Sequence, residues 1–267
     1  MNLDLTQARQ AAEKAADAAQ EVISGYLSDG NWQVSYKSDQ SPVTEVDVAA
    51  EQAIKSVLTA ALPEAEFYGE ETGRSVAEDS DGGGAHLRWL VDPIDGTKSF
   101  IRAMPFYSTQ IALSVNAELQ VGVSNAPAYG ERLVAVKGQG VFLNSKPVNV
   151  SDISQIDDAF LSSGNLTSLA RDVTAWTRYA SLVSRARRVR GYGDFCHYHQ
   201  LCCGQTDIII ESDLNILDIA ALSVGVIEAG GVITDLHGQA IDENTSSVLA
   251  ACTSALHEQA LALLHAG

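Results

Sequence analysis

The sequence predicts an α/β layered fold, in which blocks of helix alternate with blocks of sheet. Amphipathic helical segments open and close the chain, a run of short strands follows Pro105, and the second half mixes strands with helices. With 267 residues, 46% of them apolar, the chain can bury a sizeable core. We therefore expect one domain over residues 1–267, with an N-terminal half (about 1–150) and a C-terminal half (about 151–267).

Two helices are predicted at the start of the chain. The first covers residues 6–27, is rich in Ala, Glu and Gln, and ends at a Ser-Asp-Gly-Asn cluster. The second covers residues 45–61 and is stopped by Pro63. Thr44 and Asp47 have the spacing of a capping box at its beginning, which gives Asp47 a structural role.

The remaining N-terminal half is predicted to be mainly sheet. Turn signals separate the strands that follow Pro105, a pattern typical of an antiparallel meander, and a Gly-rich loop is expected at residues 80–84. The predicted strands cover residues 65–68, 87–91, 107–115, 120–126, 131–137 and 141–143.

The C-terminal half is predicted to alternate strands and helices, which favours a second sheet covered by helices. Gly230-Gly231 marks the end of one of these helices, because glycine is common just past a helix C-terminus. The predicted strands cover residues 159–162, 187–190, 206–211, 232–235 and 247–252, and the predicted helices cover 168–183, 195–203, 218–229 and 254–265.

Charge and composition exclude several classes of function. A formal charge of −17 argues against nucleic acid as a partner, because binding to its backbone depends on Lys and Arg. The four cysteines lack the spacing of a zinc site, which predicts buried thiols and a reducing compartment. No apolar run approaches the ~20 residues of a membrane span, and the N-terminus has no signal-peptide pattern. We therefore expect a cytoplasmic protein without a membrane partner.

Two aspartates at the end of an apolar strand form the most informative pattern. Asp92 and Asp95 follow the run Trp89-Leu90-Val91 and are separated by Pro93-Ile94. Desolvating unpaired carboxylates is costly, so these acids require a cation. Carboxylates are the usual ligands of Mg²⁺, and two such ions activate water and hold a phosphoryl group. We expect Asp92 to bridge two ions and the Ile94 carbonyl to act as a neutral ligand.

Two further acids and a short turn extend the predicted site. Glu70 follows a glycine after a short strand, and Asp218 opens a predicted helix. Gly96-Thr97 begins a helical turn whose free N–H groups suit a phosphate. We expect the Thr97 hydroxyl to orient the attacking water and Glu70 to act as base. Taken singly, Asp95 is also explained by an Asx turn and Asp218 by a helix-capping role.

Three segments resemble the signatures of the inositol monophosphatase family, in the order and spacing of that family. They are Gly69-Glu70-Glu71, Asp92-Pro93-Ile94-Asp95-Gly96-Thr97, and Asp218-Ile219-Ala220-Ala221 followed by Glu228-Ala229-Gly230-Gly231. The family usually has Trp where Leu217 stands, before the aspartate of the last signature.

The resemblance implies a five-layered αβαβα sandwich of the inositol monophosphatase and sugar phosphatase type, commonly a homodimer, that cleaves a small-molecule phosphate ester. It also implies that the N-terminal half binds two or three Mg²⁺ ions and that Thr97 and Glu70 activate water, with Asp47 near a third ion. The metal ligands implied are Glu70, Asp92, Asp95, Asp218 and the Ile94 carbonyl.

Substrate specificity is expected in the C-terminal half. Asp194 lies where inositol-type members have small residues, and Glu211 matches a family position that contacts substrate. Desolvated opposite charges attract strongly, so these acids suit an amine or imidazole. Asp194 is also explained as an acid in the first turn of a helix. The neighbouring His197 and His199 are expected at the surface or the pocket rim, on different sides of their helix.

The segment Arg190-Gly191-Tyr192-Gly193-Asp194-Phe195, with Asp-Gly-Thr-Lys-Ser-Phe at 95–100, resembles the histidinol-phosphate phosphatase branch of the family. The resemblance implies hydrolysis of L-histidinol phosphate in histidine biosynthesis. Inositol 1-phosphate and 3′-phosphoadenosine 5′-phosphate remain alternative substrates within the family. A non-catalytic protein that binds phosphate or metal remains the alternative from another class.

Overall fold

The computed structural model of this chain describes residues 3–37, 42–75 and 85–266, so the Gly-rich loop expected at 80–84 lies outside the described residues. Most of the described chain is helix or strand, as the sequence predicts. The helices are α1 (Leu5–Asp29), α2 (Glu45–Ala61), α3 (Thr97–Ile101), α4 (Thr167–Arg171), α5 (Val173–Arg185), α6 (Asp194–Cys202), α7 (Ile216–Glu228) and α8 (Ser254–His265). The strands are β1 (Val34–Tyr36), β2 (Pro42–Thr44), β3 (Glu66–Gly69), β4 (Gly73–Ser75), β5 (Leu87–Asp95), β6 (Ser108–Val115), β7 (Glu118–Ala126), β8 (Glu131–Val136), β9 (Gly140–Leu143), β10 (Lys146–Pro147), β11 (Phe160–Gly164), β12 (Arg188–Arg190), β13 (Ile208–Ser212), β14 (Val232–Thr234) and β15 (Ser247–Ala251).

The larger sheet is built from the strands of the N-terminal half. Its order is β10-β9-β8-β7-β6-β5-β3-β4, and β3 runs parallel to β5 while the other neighbours are antiparallel. The antiparallel meander predicted after Pro105 is therefore confirmed. Separately, β1 and β2 pair as a small antiparallel ribbon.

The smaller sheet is built from strands of the C-terminal half, in the order β12-β11-β13-β15-β14. Its β11 runs parallel to both of its neighbours, whereas β15 is antiparallel to β13 and β14. The ends of β11 and β13 therefore lie side by side, which brings the segments that follow these strands close together.

The helices form three layers around the two sheets. One core cluster joins α1 and α2 to one face of the larger sheet. A second cluster includes the other face of that sheet, α6 and α7, the smaller sheet, and the outer helices α5 and α8. The order of layers is helix, sheet, helix, sheet, helix, which confirms the α/β class and the five-layered αβαβα sandwich. In the described part of the chain, no helix is both long and apolar enough to span a membrane.

A glycine brings helix α7 unusually close to the larger sheet. A Cβ atom on Gly122 of β7 would lie 2.3 Å from the carbonyl oxygen of Ala221, so this contact of backbone with backbone requires glycine. The close approach places the first turn of α7, which contains Asp218, over the sheet that carries β5.

The predicted end of β5 at residue 91 is wrong. The strand continues through Asp95, and its register against β6 shifts between Asp92 and Asp95. Pro93 lacks an N–H group to donate to a neighbouring strand, so the extra residues form an irregularity inside the strand instead of ending it. Both aspartates are consequently held by a paired strand.

Two helix boundaries also differ from the prediction. The helix predicted over 168–183 is two helices, because Asp172 is extended and caps α5 by accepting hydrogen bonds from two backbone N–H groups. Helix α7 begins at Ile216 and not at Asp218. Asn215 is its N-cap, and Asp218 is the third helical residue of a capping box.

Candidate active site

Three acidic side chains converge where β5 meets helix α7. Asp92, Asp95 and Asp218 each offer a carboxylate oxygen, and these three oxygens lie within 4.8 Å of one another. Asp92 and Asp95 are buried at 2% and 8% exposure. The structure thus brings together three of the five metal ligands that the sequence resemblance implies.

Hydrogen bonds from nearby turns and strands orient the three carboxylates. Asp92 Oδ1 accepts the Ile94 N–H at 2.9 Å, within its own turn. Asp95 Oδ2 accepts the Ser108 hydroxyl at 3.1 Å, across the strand pair. Asp218 Oδ2 accepts the Asn215 N–H at 2.7 Å in the capping box. Local backbone N–H groups therefore position Asp92 and Asp218, whereas a side chain on the neighbouring strand positions Asp95.

The three acids repel one another. Burial raises the pKa of Asp92 well above its usual value, and the charges of Glu70, Asp95 and Asp218 add to the effect. Burial likewise raises the pKa of Asp95 well above its usual value, and burial raises that of Asp218 to about 7. A divalent cation bound here would relieve this repulsion. Because every donor is a carboxylate oxygen, the group fits a hard ion such as Mg²⁺.

Glu70 lies beside this group and is paired with a lysine. Its Oε1 is 2.9 Å from Lys37 Nζ, which is also 2.9 Å from Glu71 Oε1. Burial lowers the pKa of Lys37, but the hydrogen bonds and charges of Glu70 and Glu71 outweigh it, so the pKa is raised. Glu70 is recognisable in the sequence but Lys37 is not, because the residues around Lys37 give no sign of its contact with an acid 33 residues away.

A second buried acid supports the loop that carries Glu70. Glu51 on α2 is fully buried and accepts the N–H groups of Glu71 at 2.8 Å and Thr72 at 2.9 Å. Gly69 is required here, because a Cβ would lie 2.4 Å from the Glu51 carboxyl group. In the sequence, Glu51 stands out only as an acid on the apolar face of an amphipathic helix.

The structure brings Thr97, Asp47 and the Ile94 carbonyl together. The Thr97 hydroxyl oxygen lies 3.1 Å from Asp47 Oδ1 and 3.0 Å from the Ile94 carbonyl oxygen. Asp47 Oδ2 accepts the N–H group of Thr44 at 2.8 Å, which confirms the predicted capping box. Asp47 therefore connects the start of α2 to the residue expected to orient water.

Gly96 makes the turn between β5 and α3. Its φ of +91° is left-handed, and a Cβ would lie 2.7 Å from the Phe106 carbonyl oxygen. Both facts require glycine. The expected helical turn is confirmed, since α3 begins at Thr97 directly after Gly96.

The two expected specificity acids lie near the metal-binding acids. Asp194 is the first residue of α6, and Glu211 lies on β13 at 2% exposure. Burial, together with the charge of Glu211, raises the pKa of Asp194 to about 6, while His197 and Lys98 oppose the rise. The charges of Asp194 and Glu211 also raise the pKa of Asp95, which indicates that they adjoin the metal-binding acids.

Only one of the two carboxylate oxygens of Glu211 has hydrogen-bond partners among the described residues. Oε2 accepts the Tyr198 hydroxyl at 2.9 Å and lies 3.1 Å from His197 Nε2. Oε1 is buried and has no hydrogen-bond partner among the described residues. A Cβ on Gly164 would lie 2.5 Å from that oxygen, so only glycine at this position leaves room beside it.

The expectation that His197 and His199 lie at the surface or the rim is wrong. They are 0% and 2% exposed, because polar partners on neighbouring elements satisfy both rings. His197 bonds to Glu211, whereas His199 bonds to Glu131, so the rings do face different sides as expected.

We predict that Mg²⁺ stabilises the protein more at about pH 8 than at about pH 5. The pKa values of Asp92, Asp95 and Asp218 are raised in the metal-free folded state. These acids therefore keep protons that they release in the unfolded chain, where their pKa values are about 4. The contribution of Asp218 to metal-free stability is therefore present below about pH 4 and is lost as pH rises through about 7, and the contributions of Asp92 and Asp95 change in the same direction.

Thermal unfolding with and without Mg²⁺ at several pH values checks this prediction. The increase in Tm on adding Mg²⁺ should grow with pH, because protons and metal compete for the same oxygens. An increase that is constant, or largest at acidic pH, would contradict the assignment of these acids to a metal centre.

Comparison with known proteins identifies the family. The model of the inositol monophosphatase family matches residues 4–267. The chain is 35% identical over 257 residues to a protein of Mycobacterium tuberculosis named histidinol-phosphatase, covering 94% of this chain and 95% of the relative. It is 31% identical over 252 residues to an inositol monophosphatase of Dictyostelium discoideum, covering 90% of each.

A solved structure supports the same conclusion. The extragenic suppressor protein suhB from Bartonella henselae superposes with a TM-score of 0.85 at 28% identity, covering 98% of each chain. The fold, the matched family and the relatives agree with the resemblance seen in the sequence. The chain belongs to the inositol monophosphatase family and is a phosphoric monoester hydrolase.

Proposed function

We propose that this phosphatase hydrolyses L-histidinol phosphate to L-histidinol and phosphate, in histidine biosynthesis, and that it depends on Mg²⁺. The observation that carries the choice of substrate is the buried, unpartnered Oε1 of Glu211, with Asp194 as a neighbouring charge. The similarity to a relative named histidinol-phosphatase supports the same choice.

We propose that two or three Mg²⁺ ions bind at the cluster of acids. The ligands would be Glu70, Asp92, Asp95, Asp218 and the Ile94 carbonyl, all of which offer oxygen. The bound ions would supply Lewis-acid activation of water and neutralise charge on the phosphate. In the metal-free protein, Lys37 supplies a positive charge beside Glu70.

The residues around Thr97 are suited to orienting the water. Asp47 and the Ile94 carbonyl both lie within hydrogen-bond distance of the Thr97 hydroxyl. The single hydroxyl proton is therefore donated to one of these two acceptors or shared between them. The lone pairs of that hydroxyl remain available to accept a hydrogen bond from water, and Glu70 would act as the base that takes the proton. The N–H groups of Gly96 and Thr97 would hold the phosphate.

The acids of the C-terminal half suit a cationic leaving group. Histidinol carries an amine and an imidazole, and either can donate to Glu211 Oε1. A hydrogen bond to a charged group contributes about 1.5–3 kcal/mol, and an ammonium or imidazolium donor adds a direct attraction between opposite charges that a neutral hydroxyl lacks. Asp194, whose pKa burial and the charge of Glu211 raise, adds a second negative charge nearby.

Two other substrates remain candidates within the family. A relative named inositol monophosphatase, at 31% identity, favours inositol 1-phosphate as the second candidate. In 3′-phosphoadenosine 5′-phosphate, a second phosphate group would meet the negative charges of Asp194 and Glu211, which disfavours it. A non-catalytic protein that binds phosphate or metal is disfavoured because the acids and Thr97 are all present.

A phosphate-release assay with the three esters at saturating Mg²⁺ tests the proposed substrate. We expect kcat/KM for L-histidinol phosphate to exceed that for inositol 1-phosphate and for 3′-phosphoadenosine 5′-phosphate by roughly 10-fold or more, which corresponds to at least one charge-assisted hydrogen bond. Equal or faster hydrolysis of inositol 1-phosphate would reject the proposed specificity.

We further propose a cytoplasmic homodimer whose N-terminal half supplies the metal centre apart from Asp218, and whose C-terminal half selects the substrate. The free cysteines, three of which are buried, are consistent with a reducing compartment. Val173 and Trp176 on α5 are 80% and 41% exposed, and they offer apolar surface to a second copy. A molar mass of one chain by light scattering would reject the dimer.

A further inference from the structure

Buried polar side chains cross the larger sheet next to the metal-binding acids. Ser108 and Gln110 on β6 and Ser124 on β7 are 0%, 0% and 1% exposed. The register pairs Ser108 with Asp95, and Gln110 with Asp92 on one side and Ser124 on the other. Interior sheet positions are normally apolar, so this row of polar groups requires an explanation.

These side chains form a continuous chain of hydrogen bonds that ends at Asp95. The Ser108 hydroxyl donates to Asp95 Oδ2 at 3.1 Å. The amide nitrogen of Gln110 donates to the hydroxyl oxygens of Ser108 at 2.8 Å and Ser124 at 3.1 Å. Gln110 therefore bridges two serines on neighbouring strands.

The chain continues from Ser124 to helix α6 and ends at a carboxylate. Ser124 Oγ lies 2.9 Å from His199 Nε2, and His199 Nδ1 lies 2.9 Å from Glu131 Oε2. Glu131 is partly exposed, with 33% side-chain exposure, so the chain runs from solvent to the buried acid.

The direction of each hydrogen bond follows from these end groups. A carboxylate only accepts, so His199 Nδ1 carries a proton. Burial lowers the pKa of His199, with Glu131 opposing, and the neutral ring leaves Nε2 as an acceptor for the Ser124 hydroxyl. Both serine oxygens then accept from the Gln110 amide. The Ser108 hydroxyl proton is consequently free to point at Asp95.

Reversing the Gln110 amide would break this arrangement. Its oxygen would then face the Ser108 hydroxyl, which would draw the only hydroxyl proton away from Asp95. In the orientation observed, Gln110 Oε1 is buried without a partner among the described residues. Leaving such a group unpaired opposes folding and offsets part of what the two donated hydrogen bonds contribute to stability.

We infer that Gln110 is a positioning residue of the metal centre, which acts through Ser108 to hold the Asp95 carboxylate in the orientation that binds the cation. This inference rests on the proposed role of Asp95 as a Mg²⁺ ligand. Hydrogen bonds to metal-ligating carboxylates fix their orientation, and their loss typically weakens metal binding by about 10–100-fold.

Calorimetric titration of Mg²⁺ in the absence of substrate tests the inference. Gln110→Leu and Ser108→Ala should each weaken Mg²⁺ binding by roughly 10–100-fold. The double variant should bind no more weakly than the weaker single variant, because both changes remove the same contact with Asp95. The metal-free Tm of Gln110→Leu should stay close to that of the wild type, because the loss of two donated hydrogen bonds is offset by removal of the unpaired oxygen.

Ser223→Ala is the matched control. Ser223 lies in α7 and has a buried hydroxyl without a partner among the described residues, so its loss should leave Mg²⁺ affinity unchanged. Ser108→Thr retains the hydroxyl and should recover most of the affinity lost in Ser108→Ala. This recovery separates positioning from a general loss of packing if Gln110→Leu folds poorly.

Wild-type Mg²⁺ affinity in Gln110→Leu or in Ser108→Ala would overturn the inference, and so would equal losses in Ser108→Ala and Ser108→Thr. A failure of the proposed function is distinguishable from these results. If the wild-type protein binds no Mg²⁺, the metal centre itself is rejected. If the wild type binds Mg²⁺ and the variants bind it equally well, only the role of Gln110 is rejected.

Discussion

Replacing Asp92 with asparagine is expected to lower kcat/KM by on the order of a thousandfold or more, because a lost metal ligand removes about 4 kcal/mol or more of transition-state stabilisation. Asparagine has nearly the same shape, and its side-chain oxygen can still accept the Ile94 N–H that Asp92 accepts at 2.9 Å. The local turn should therefore survive while the charge is lost. Phosphate release at saturating Mg²⁺ measures the effect.

The same substitution should leave the metal-free protein as stable as the wild type, or more stable. Burial and the charges of Glu70, Asp95 and Asp218 all oppose ionisation of Asp92, so a neutral side chain of the same shape avoids that cost. A metal-free Tm well below that of the wild type would show that Asp92 serves the fold and would contradict the assignment.

Asp207→Asn is the matched control for a buried acid. Asp207 is 6% exposed and accepts the Phe160 N–H at 2.7 Å and the Ser151 hydroxyl at 2.5 Å, within the smaller sheet and its edge. This substitution should lower Tm and leave Mg²⁺-dependent turnover intact. The two variants should therefore show opposite patterns of stability and activity.

Replacing Asp194 with asparagine is expected to raise KM for L-histidinol phosphate by roughly 10–100-fold, the equivalent of one charge-assisted hydrogen bond. The change in KM for a neutral ester such as inositol 1-phosphate should be about 3-fold or less, since a neutral hydroxyl gains little from the charge. Asparagine is chosen because Asp194 has a φ of +45°, a conformation that Asn tolerates better than Ala.

Asp213→Asn is the control for this substitution. Asp213 also has a positive φ, of +57°, but its carboxylate is exposed and accepts the Ser168 N–H at 2.9 Å. Its replacement should change KM for neither ester. Equal changes in KM for both esters in Asp194→Asn would show that Asp194 does not discriminate by charge.

The large elements of the fold were predictable because each is long enough to show a hydrophobic periodicity. Helices α1, α2 and α8 and the meander strands lie within about two residues of their predicted ends. The short strands β1, β2, β4 and β10 were missed, since two or three residues are too few to show a clear alternation of apolar and polar side chains. The continuation of β5 was missed because Pro93 usually ends a strand, whereas here the register shift accommodates it.

The candidate site was predictable where an acid interrupts an apolar pattern. Asp92, Asp95 and Asp218 were found in this way, and the structure brings them together. Lys37 and Gln110 were missed because their partners are set by pairing between distant segments, which a single sequence does not reveal. The burial of His197 and His199 was missed because only the tertiary structure supplies their polar partners.

The most direct test of the central claim is phosphate release from L-histidinol phosphate by the wild-type protein, first with a chelator and then with Mg²⁺ restored. We predict no turnover with the chelator and full recovery with Mg²⁺, at a rate that saturates with metal concentration. Turnover that persists without divalent metal, or no turnover of any phosphate ester with Mg²⁺, would contradict a metal-dependent phosphatase centred on Asp92, Asp95 and Asp218.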